Sequence, residues 1–371
     1  GRLRFPMIQW ILDKADRATV LLLLALSTIS VVFVHSATQS KELSFWSGSG
    51  GRQLIFVIVG WVVYFLVSKV DYHDWSDLAF ILYGVGMALL VLVLFTHPIA
   101  NSRSWFSLGG PFRFQPSEPM KTLTVLAAAS FLSRSPHRLD FRHLAYLAAF
   151  IVAPMGLLLL QPDMGTAVTY VPLFLGLAWV AGLRPKVLVT LAVVAALLAP
   201  IGWFMVLKPY QKERIITVFE PDRDPMKTGY QTIQSRIAVG SGEVVGKGLF
   251  QGSQSRLEFL PARETDFILA VIAEETGFVG VLVTLGLLLA LLMRAVDTAA
   301  TSQDYLGTLI ATGVVVLWAG QIFINTGMVT GVVPTIGVPL PLVSYGGSSV
   351  VATFLAFGLV SSVRTGRLVN A

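Results

Sequence analysis

Charged side chains set against apolar sequence are the first places to look for chemistry. Asp266 ends a charged segment and begins an apolar run, in Leu260-Pro261-Ala262-Arg263-Glu264-Thr265-Asp266-Phe267-Ile268. A carboxylate there has two readings. It caps the following helix, whose dipole favours negative charge at its N-terminus, or it acts as a general base at a membrane–water boundary. The Lys and Arg residues before it supply cations for phosphates, so the combination has the parts to handle a lipid with a pyrophosphate head and a reacting hydroxyl. Glu118 and Lys121 lie three residues apart in an otherwise apolar stretch, on nearly one helix face, and can pair. Either charge alone near mid-membrane costs at least about 3 kcal/mol. The pair therefore pins helices together or faces a wet cavity. Asp163, in Gln161-Pro162-Asp163-Met164-Gly165-Thr166, sits at a tight turn, where it caps the next helix or joins a polar site.

Other candidates fall away. Gly240, Gly242, Gly246, Lys247 and Gly248 suggest a phosphate loop, but the spacing requires Gly at 241, which is Ser241, and Ser or Thr at 248, which is Gly248. The five histidines (His35, His73, His97, His137 and His143) sit near helix ends or in loops and share no ligand spacing. With no cysteine in the chain, disulfides, thiolate metal sites and cysteine nucleophiles are excluded.

Composition dictates the elements that hold these groups. The 371 residues are 54% hydrophobic and only 13% charged, with mean hydropathy +0.73, whereas soluble domains carry about 25% charged residues. The chain is an all-α polytopic membrane protein. Its net charge of +6 comes from basic residues scattered between apolar runs, without the stripe that nucleic-acid binding needs. Membrane topology and anionic lipid account for them better.

Charge-free runs at 18–40, 53–68, 78–102, 143–162, 164–183 and 187–207 are each about long enough to span. Residues 114–133 are apolar apart from Glu118 and Lys121, and 267–293 apart from Glu274 and Glu275. The uncharged stretch 305–363 is too long for one span, and Pro334, Pro339 and Pro341 break it into two helices joined by a Gly/Pro-rich connection. The expectation is ten transmembrane helices in a single integral membrane domain, 1–371. Lys69, Arg134, Arg184, Lys186, Arg294 and Arg364 fall on one side with the termini, against only Lys41, Arg52, Arg103 and Arg113 in the short loops opposite, which puts both ends in the cytoplasm. Residues 208–265, a large extracytoplasmic loop between helices 7 and 8, carry nine Lys/Arg and seven Asp/Glu. Within that loop Tyr230, Ile233 and Ile237 have helical spacing, as in an amphipathic helix lying on the bilayer or an ordinary packed loop helix.

These residues also carry a resemblance. Gln115-Pro116-Ser117-Glu118 with Lys121, the Gln161 to Thr166 segment, Gly229-Tyr230 through Gly242, Thr265-Asp266-Phe267-Ile268 with Glu274-Glu275, and Pro339-Leu340-Pro341-Leu342-Val343-Ser344-Tyr345-Gly346-Gly347-Ser348-Ser349 closely resemble, in order, the SEDS family (shape, elongation, division and sporulation). Gln254 to Pro261 and Gly337 to Pro341 look more like its rod-shape branch than its division branch. The resemblance implies the ten-helix SEDS fold and a peptidoglycan glycosyltransferase that polymerises lipid II at the outer face of the bacterial cytoplasmic membrane, partnered by a class B penicillin-binding protein. It places the family's essential aspartate at Asp266, its charged pair at Glu118 and Lys121, and its Gln-Pro-Asp motif at Asp163. Two positions depart: Glu264 stands where many members have His, and Glu243 where Gly is common.

In such a reaction Asp266 would be the base, while Lys121, Arg103, Arg214 and Arg263 would be candidates for the pyrophosphate charge, with magnesium or manganese as a bridging cation. Glu274, within about 80° of Asp266 on a regular helix but two turns deeper, is structural. Segment 329–346 with Ser344 to Ser349 suits a cavity or groove for lipid, or helix packing through small residues. Two other classes compete: a lipid II flippase, kept open by Glu118 and Lys121, and a scaffold docking a partner through 208–265.

Overall fold

The computed structural model describes residues 16–39, 44–98, 102–110, 112–135, 140–220, 228–253 and 259–369. Lys41, His137 and the 254–258 part of the rod-shape-like segment lie outside them. In chain order the helices are α1 (Arg17–Thr38), α2 (Ser49–Lys69), α3 (Tyr72–Val93), α4 (Ser117–Ser133), α5 (Phe141–Leu160), α6 (Met164–Val180), α7 (Pro185–Ile201), α8 (Pro209–Phe219), α9 (Thr228–Ser241), α10 (Ile268–Ala300), α11 (Tyr305–Thr330) and α12 (Gly347–Val369). All except α4, α6, α8 and α9 are long and apolar enough to cross a membrane, α7 together with the π-helical turn that continues it to Met205, and α6 is a shorter apolar helix.

Each apolar run contains one of these helices, with revised ends. The run at 78–102 is the largest revision. Its helix starts earlier, at Tyr72, because the Asp71 side chain accepts the His73 N–H at 2.9 Å and caps it, and it stops at Val93. A two-residue hairpin follows, pairing Phe106 with Phe114 and Ser107 with Arg113. The uncharged stretch divides as its prolines require: α11 ends at Gly331 in the left-handed region (φ 73°), and 332–346 holds no helix.

The core forms around α4, which packs against α3, α5, α6, α11 and α12 and buries Glu118, Lys121, Thr122, Thr124 and Ser130 together with its alanines. Small and hydroxyl side chains let neighbouring backbones approach closely where no water drives helices together. At the other extreme α7 buries no described side chain. A helix that is apolar all round and outside the core is stable only in lipid.

Helix α10 is broken at Gly277 (φ 68°, ψ −164°). A break strands backbone groups that must find partners. Here Lys247 N–H and Gly248 N–H donate to the Glu274 and Glu275 carbonyls (3.0 and 2.9 Å), while Phe278 N–H and Val279 N–H donate to the Glu243 and Val244 carbonyls (2.9 and 3.1 Å). Loop 243–248 thus splices the two halves of the helix. Lys247 Nζ and Ser253 Oγ both donate to Glu274 Oε1 (2.8 and 2.9 Å), neutralising a side chain with no exposure. Two of the glycines that resembled a phosphate loop serve this close approach, since a Cβ would stand 1.8 Å from the Ala273 carbonyl oxygen at Gly242 and 2.2 Å from the Glu275 carbonyl oxygen at Gly246. Gly242→Ala is therefore expected to destabilise the protein by about 1–3 kcal/mol, seen as a lower Tm in detergent. Gly240→Ala, with nothing within 4 Å of its Cβ, should leave Tm unchanged or slightly raised.

Candidate active site

The Asp266 turn is wound by one carbonyl: Ala262 O accepts the N–H groups of Thr265, Asp266 and Phe267 at 3.0–3.2 Å. The N-cap of α10 is Phe267, and no side chain caps the helix. The Asp266 carboxylate is thus not used in capping. Its main chain is held from the far side of the sequence, and three consecutive carbonyls have partners there. Tyr345 N–H donates to Glu264 O at 2.8 Å, Ser344 Oγ to Thr265 O, and Asn325 Nδ2 to Asp266 O at 2.8 Å. Ser344 Oγ also accepts the Leu340 N–H at 2.7 Å, closing the connection between α11 and α12 around itself.

The carboxylate faces Gly337, where a Cβ would lie 3.3 Å from Asp266 Oδ2. Gly337 adopts φ 76°, which glycine tolerates best. On its other side the start of α6 presses in, with a Cβ at Gly165 placed 2.5 Å from the Gly337 carbonyl oxygen. That contact brings Asp163 into the site. Asp163 caps α6 by accepting the Thr166 N–H at Oδ1 (3.1 Å), and its Oδ2 accepts from Gln115 Nε2 at 3.1 Å and from Ser117 Oγ at 3.5 Å. Its capping and polar-site readings hold together.

Electrostatics tie the groups further. Burial lifts the Asp266 carboxyl to about 6, with the Asp163 and Glu264 carboxylates adding to the rise and the Thr265 hydroxyl and Arg214 guanidinium opposing it. Burial likewise raises Asp163, against hydrogen bonds from Thr166; Glu118 reinforces the rise and Lys121 opposes it. Lys121 Nζ is held by Glu118 Oε1 (3.0 Å) and Gln321 Oε1 (2.9 Å). Asp266, Asp163, Glu118, Lys121, Arg214 and Ser344 therefore gather in one region.

Two candidates lie elsewhere. Arg263 is 2% exposed and its Nε donates to the Ala37 carbonyl, tying the turn to α1. Arg103 is exposed and donates to the Leu94 carbonyl at 3.3 Å, past the end of α3. Glu243, the departure from Gly, keeps a left-handed φ of 48° within the splice loop. Sequence reasoning missed Gln321 and Asn325. The available signal was two amides one turn apart in an apolar helix.

A groove of about 360 Å³ opens between α2, the hairpin and α12, lined by Ile55, Val59, Phe112, Phe114, Val351 and Leu355. It reaches the site through Ser348, which lines it and whose Oγ accepts the Gln115 N–H at 2.8 Å. On the loop side, α9 buries Thr232, Ser235 and Ala238 against α10 and α11, with Ser235 Oγ donating to Val329 O at 2.8 Å. Of the three residues expected on its apolar side, Ile237 is exposed while Tyr230 and Ile233 are half-buried.

Comparisons with known proteins identify relatives along nearly the whole chain. Residues 16–367 match the model of the cell cycle protein family FTSW_RODA_SPOVE. The peptidoglycan glycosyltransferase MrdB of Escherichia coli (strain K12) is 36% identical over 359 residues, covering 96% of this chain and 95% of that protein. The peptidoglycan glycosyltransferase RodA of Treponema pallidum is 29% identical over 425 residues, 95% of this chain and 98% of the other. A chain from a structure titled as a peptidoglycan synthase complex coordinating polymerization and crosslinking superposes with TM-score 0.81 at 34% identity, covering 95% and 98% of the two chains. The rod shape determining protein RodA of Thermus thermophilus superposes with TM-score 0.70 at 30% identity, covering 95% and 97%.

Proposed function

This chain belongs to the cell cycle protein family FTSW_RODA_SPOVE and is a peptidoglycan glycosyltransferase of the bacterial inner membrane, and we propose that Asp266 is the general base with which it polymerises lipid II. The observation that carries the assignment is a carboxylate released from capping, raised by burial to about 6 and facing the Gly337 backbone. A base of that strength is ionised at neutral pH yet still takes a proton readily.

In the proposed step the acceptor sugar's 4-hydroxyl oxygen bonds to the donor's anomeric carbon, and its proton passes to Asp266. The bond from that carbon to the phosphate oxygen breaks, and undecaprenyl pyrophosphate leaves with the electron pair. Arg214, the cation in electrostatic reach of Asp266, offsets the leaving charge, whereas Arg103, exposed and bonded to the Leu94 carbonyl, is given no role in the step. Lys121 acts at one remove, through its field on Asp163. Arg263, turned toward α1, anchors the turn. The apolar groove beside Ser348 is proposed to take the isoprenoid chain, since its lining suits hydrocarbon and its Ser348 is bonded to Gln115, which donates to Asp163. Among the described residues no three His, Asp or Glu side chains converge to hold a metal ion. Were a magnesium or manganese ion to arrive with the pyrophosphate, it would take its ligands chiefly from the phosphate oxygens and supply positive charge there, and no step here depends on it.

The proposed topology counts α4 and α6 with the eight longer helices as ten spans of one integral membrane domain. Both termini then lie in the cytoplasm, and 208–265 and Asp266 lie outside. The proposed partner is a class B penicillin-binding protein, a reading supported by the synthase-complex neighbour. Purified protein given labelled lipid II in detergent, without a partner, is expected to make glycan chains. The kcat/KM should rise with pH through about 6, because the base must lose its proton before it can accept one. Flipping has no meaning in detergent and a scaffold makes no glycan, so absence of chains overturns the enzyme reading.

A further inference from the structure

Helix α11 carries two buried amides one turn apart, Gln321 (1% exposed) and Asn325 (0%). Each donates to the extended connection that follows the helix: Gln321 Nε2 to Pro339 O at 2.8 Å and Asn325 Nδ2 to Val338 O at 2.7 Å. Each also reaches a different half of the site. Gln321 Oε1 accepts from Lys121 Nζ at 2.9 Å, and Asn325 Nδ2 donates to Asp266 O at 2.8 Å. Consecutive carbonyls of one short segment, Val338 and Pro339, thus join the Glu118–Lys121 pair to the Asp266 turn through two rigid amides.

We propose that Gln321 and Asn325 are positioning residues, an amide ladder that holds the base-bearing turn in register with the buried ion pair. The proposal rests on Asp266 being the base. An amide is the side chain this geometry requires. Lys121 needs an acceptor and Pro339 O a donor, which one Gln supplies together; Asn325 meets two carbonyls with the two hydrogens of a single NH2 group. Its Oδ1 is buried without a hydrogen-bond partner, so the side chain is held there at a cost that its donor bonds must offset. A residue kept only for packing would be apolar at this position.

The ladder also bears on the base's proton affinity. The Asp266 carboxylate is faced by Arg214 from α8, Asp163 from the start of α6, and Glu264 and Thr265 from its own turn, with burial the leading influence. Releasing the turn from Asn325 lets water reach the carboxylate and lowers its affinity for a proton. The acid limb of kcat/KM then moves to lower pH while the acceptor and donor sites keep their contacts.

The test uses full-length protein in detergent with lipid II. Asn325→Leu, which keeps volume and removes both donors, is expected to lose about 10²-fold in kcat with KM within threefold, and to move the acid limb down by at least half a pH unit. Gln321→Met should lose about tenfold in kcat, again with KM little changed, and it keeps the test in force if Asn325→Leu does not fold. A loss of activity that only tracks the folded fraction, with the acid limb in place, overturns the proposal. So does wild-type kcat in a folded Gln321→Met protein. Asp266→Asn run alongside separates the layers: an active Asp266→Asn protein sinks the assignment of the base, whereas an inactive one beside wild-type-like ladder variants sinks only the ladder.

Discussion

Asp266→Asn is expected to fold, to gain thermal stability and to lose about 10²–10⁴-fold in kcat. The three outcomes come from one cause. In the folded protein the carboxyl is raised from 3.8 to about 6, so the ionised form is disfavoured there relative to the unfolded chain. A folded-state pKa above the unfolded value means stability that is fully present below about pH 3.8 and lost as pH rises through about 6. At neutral pH the deficit is on the order of 2–3 kcal/mol. Asn at the same position carries no charge to desolvate and recovers most of that deficit. The Thr265 hydroxyl and Arg214 favour the carboxylate but are outweighed by burial, the carboxylate does not cap α10, and the turn is held by its main-chain carbonyls. Thermal scans at pH 7.5 and pH 5 check it: the mutant's advantage should shrink at the lower pH. Full polymerisation by folded Asp266→Asn protein would refute the assignment. A mutant that is inactive because it is destabilised would show Asp266 to be structural.

Much of this arrangement is legible in the chain, for reasons that also show where legibility stops. Charge is expensive in a bilayer, so runs without it reveal helices, and among the few charges inside them Glu118 and Lys121 reveal a buried pair. The same criterion passes over neutral polar groups. Gln321 and Asn325 lie in the uncharged stretch and are invisible to it, although the site is assembled on them. Asp266 stands out by its place between a charged loop and an apolar run, but its two readings are separated only by backbone geometry, which puts the N-cap at Phe267. Arg263 and Arg214 look equivalent as sequence. Only the packing shows one turned to the Ala37 carbonyl and the other in reach of Asp266. The break at Gly277 needs a partner segment 29–34 positions earlier, a pairing that no local pattern encodes. The hairpin at Phe106 and Phe114 is too short to alternate visibly.

The second large effect concerns the ion pair itself. Glu118 and Lys121 are 3% and 2% exposed, with Nζ to Oε1 at 3.0 Å, so each charge is tolerated only because the other is present. Lys121→Met is expected to destabilise the protein by about 3–5 kcal/mol, because it leaves a carboxylate buried without its cation and removes the donor to Gln321. The double variant, Glu118→Gln with Lys121→Met, removes both charges and should restore most of the stability, since a buried pair replaced as a unit is often neutral. A coupling energy of several kcal/mol in the resulting cycle, read from Tm and denaturant midpoints in detergent, would establish the pair as mutually dependent. Activity then decides what the pair is for. Lys121 also acts on Asp163, which in turn faces Asp266, so a neutral pair should leave the double variant stable and still impaired in kcat. A double variant with wild-type kcat would reduce the pair to a pin between helices and leave the chemistry to Asp266, Asp163 and Arg214.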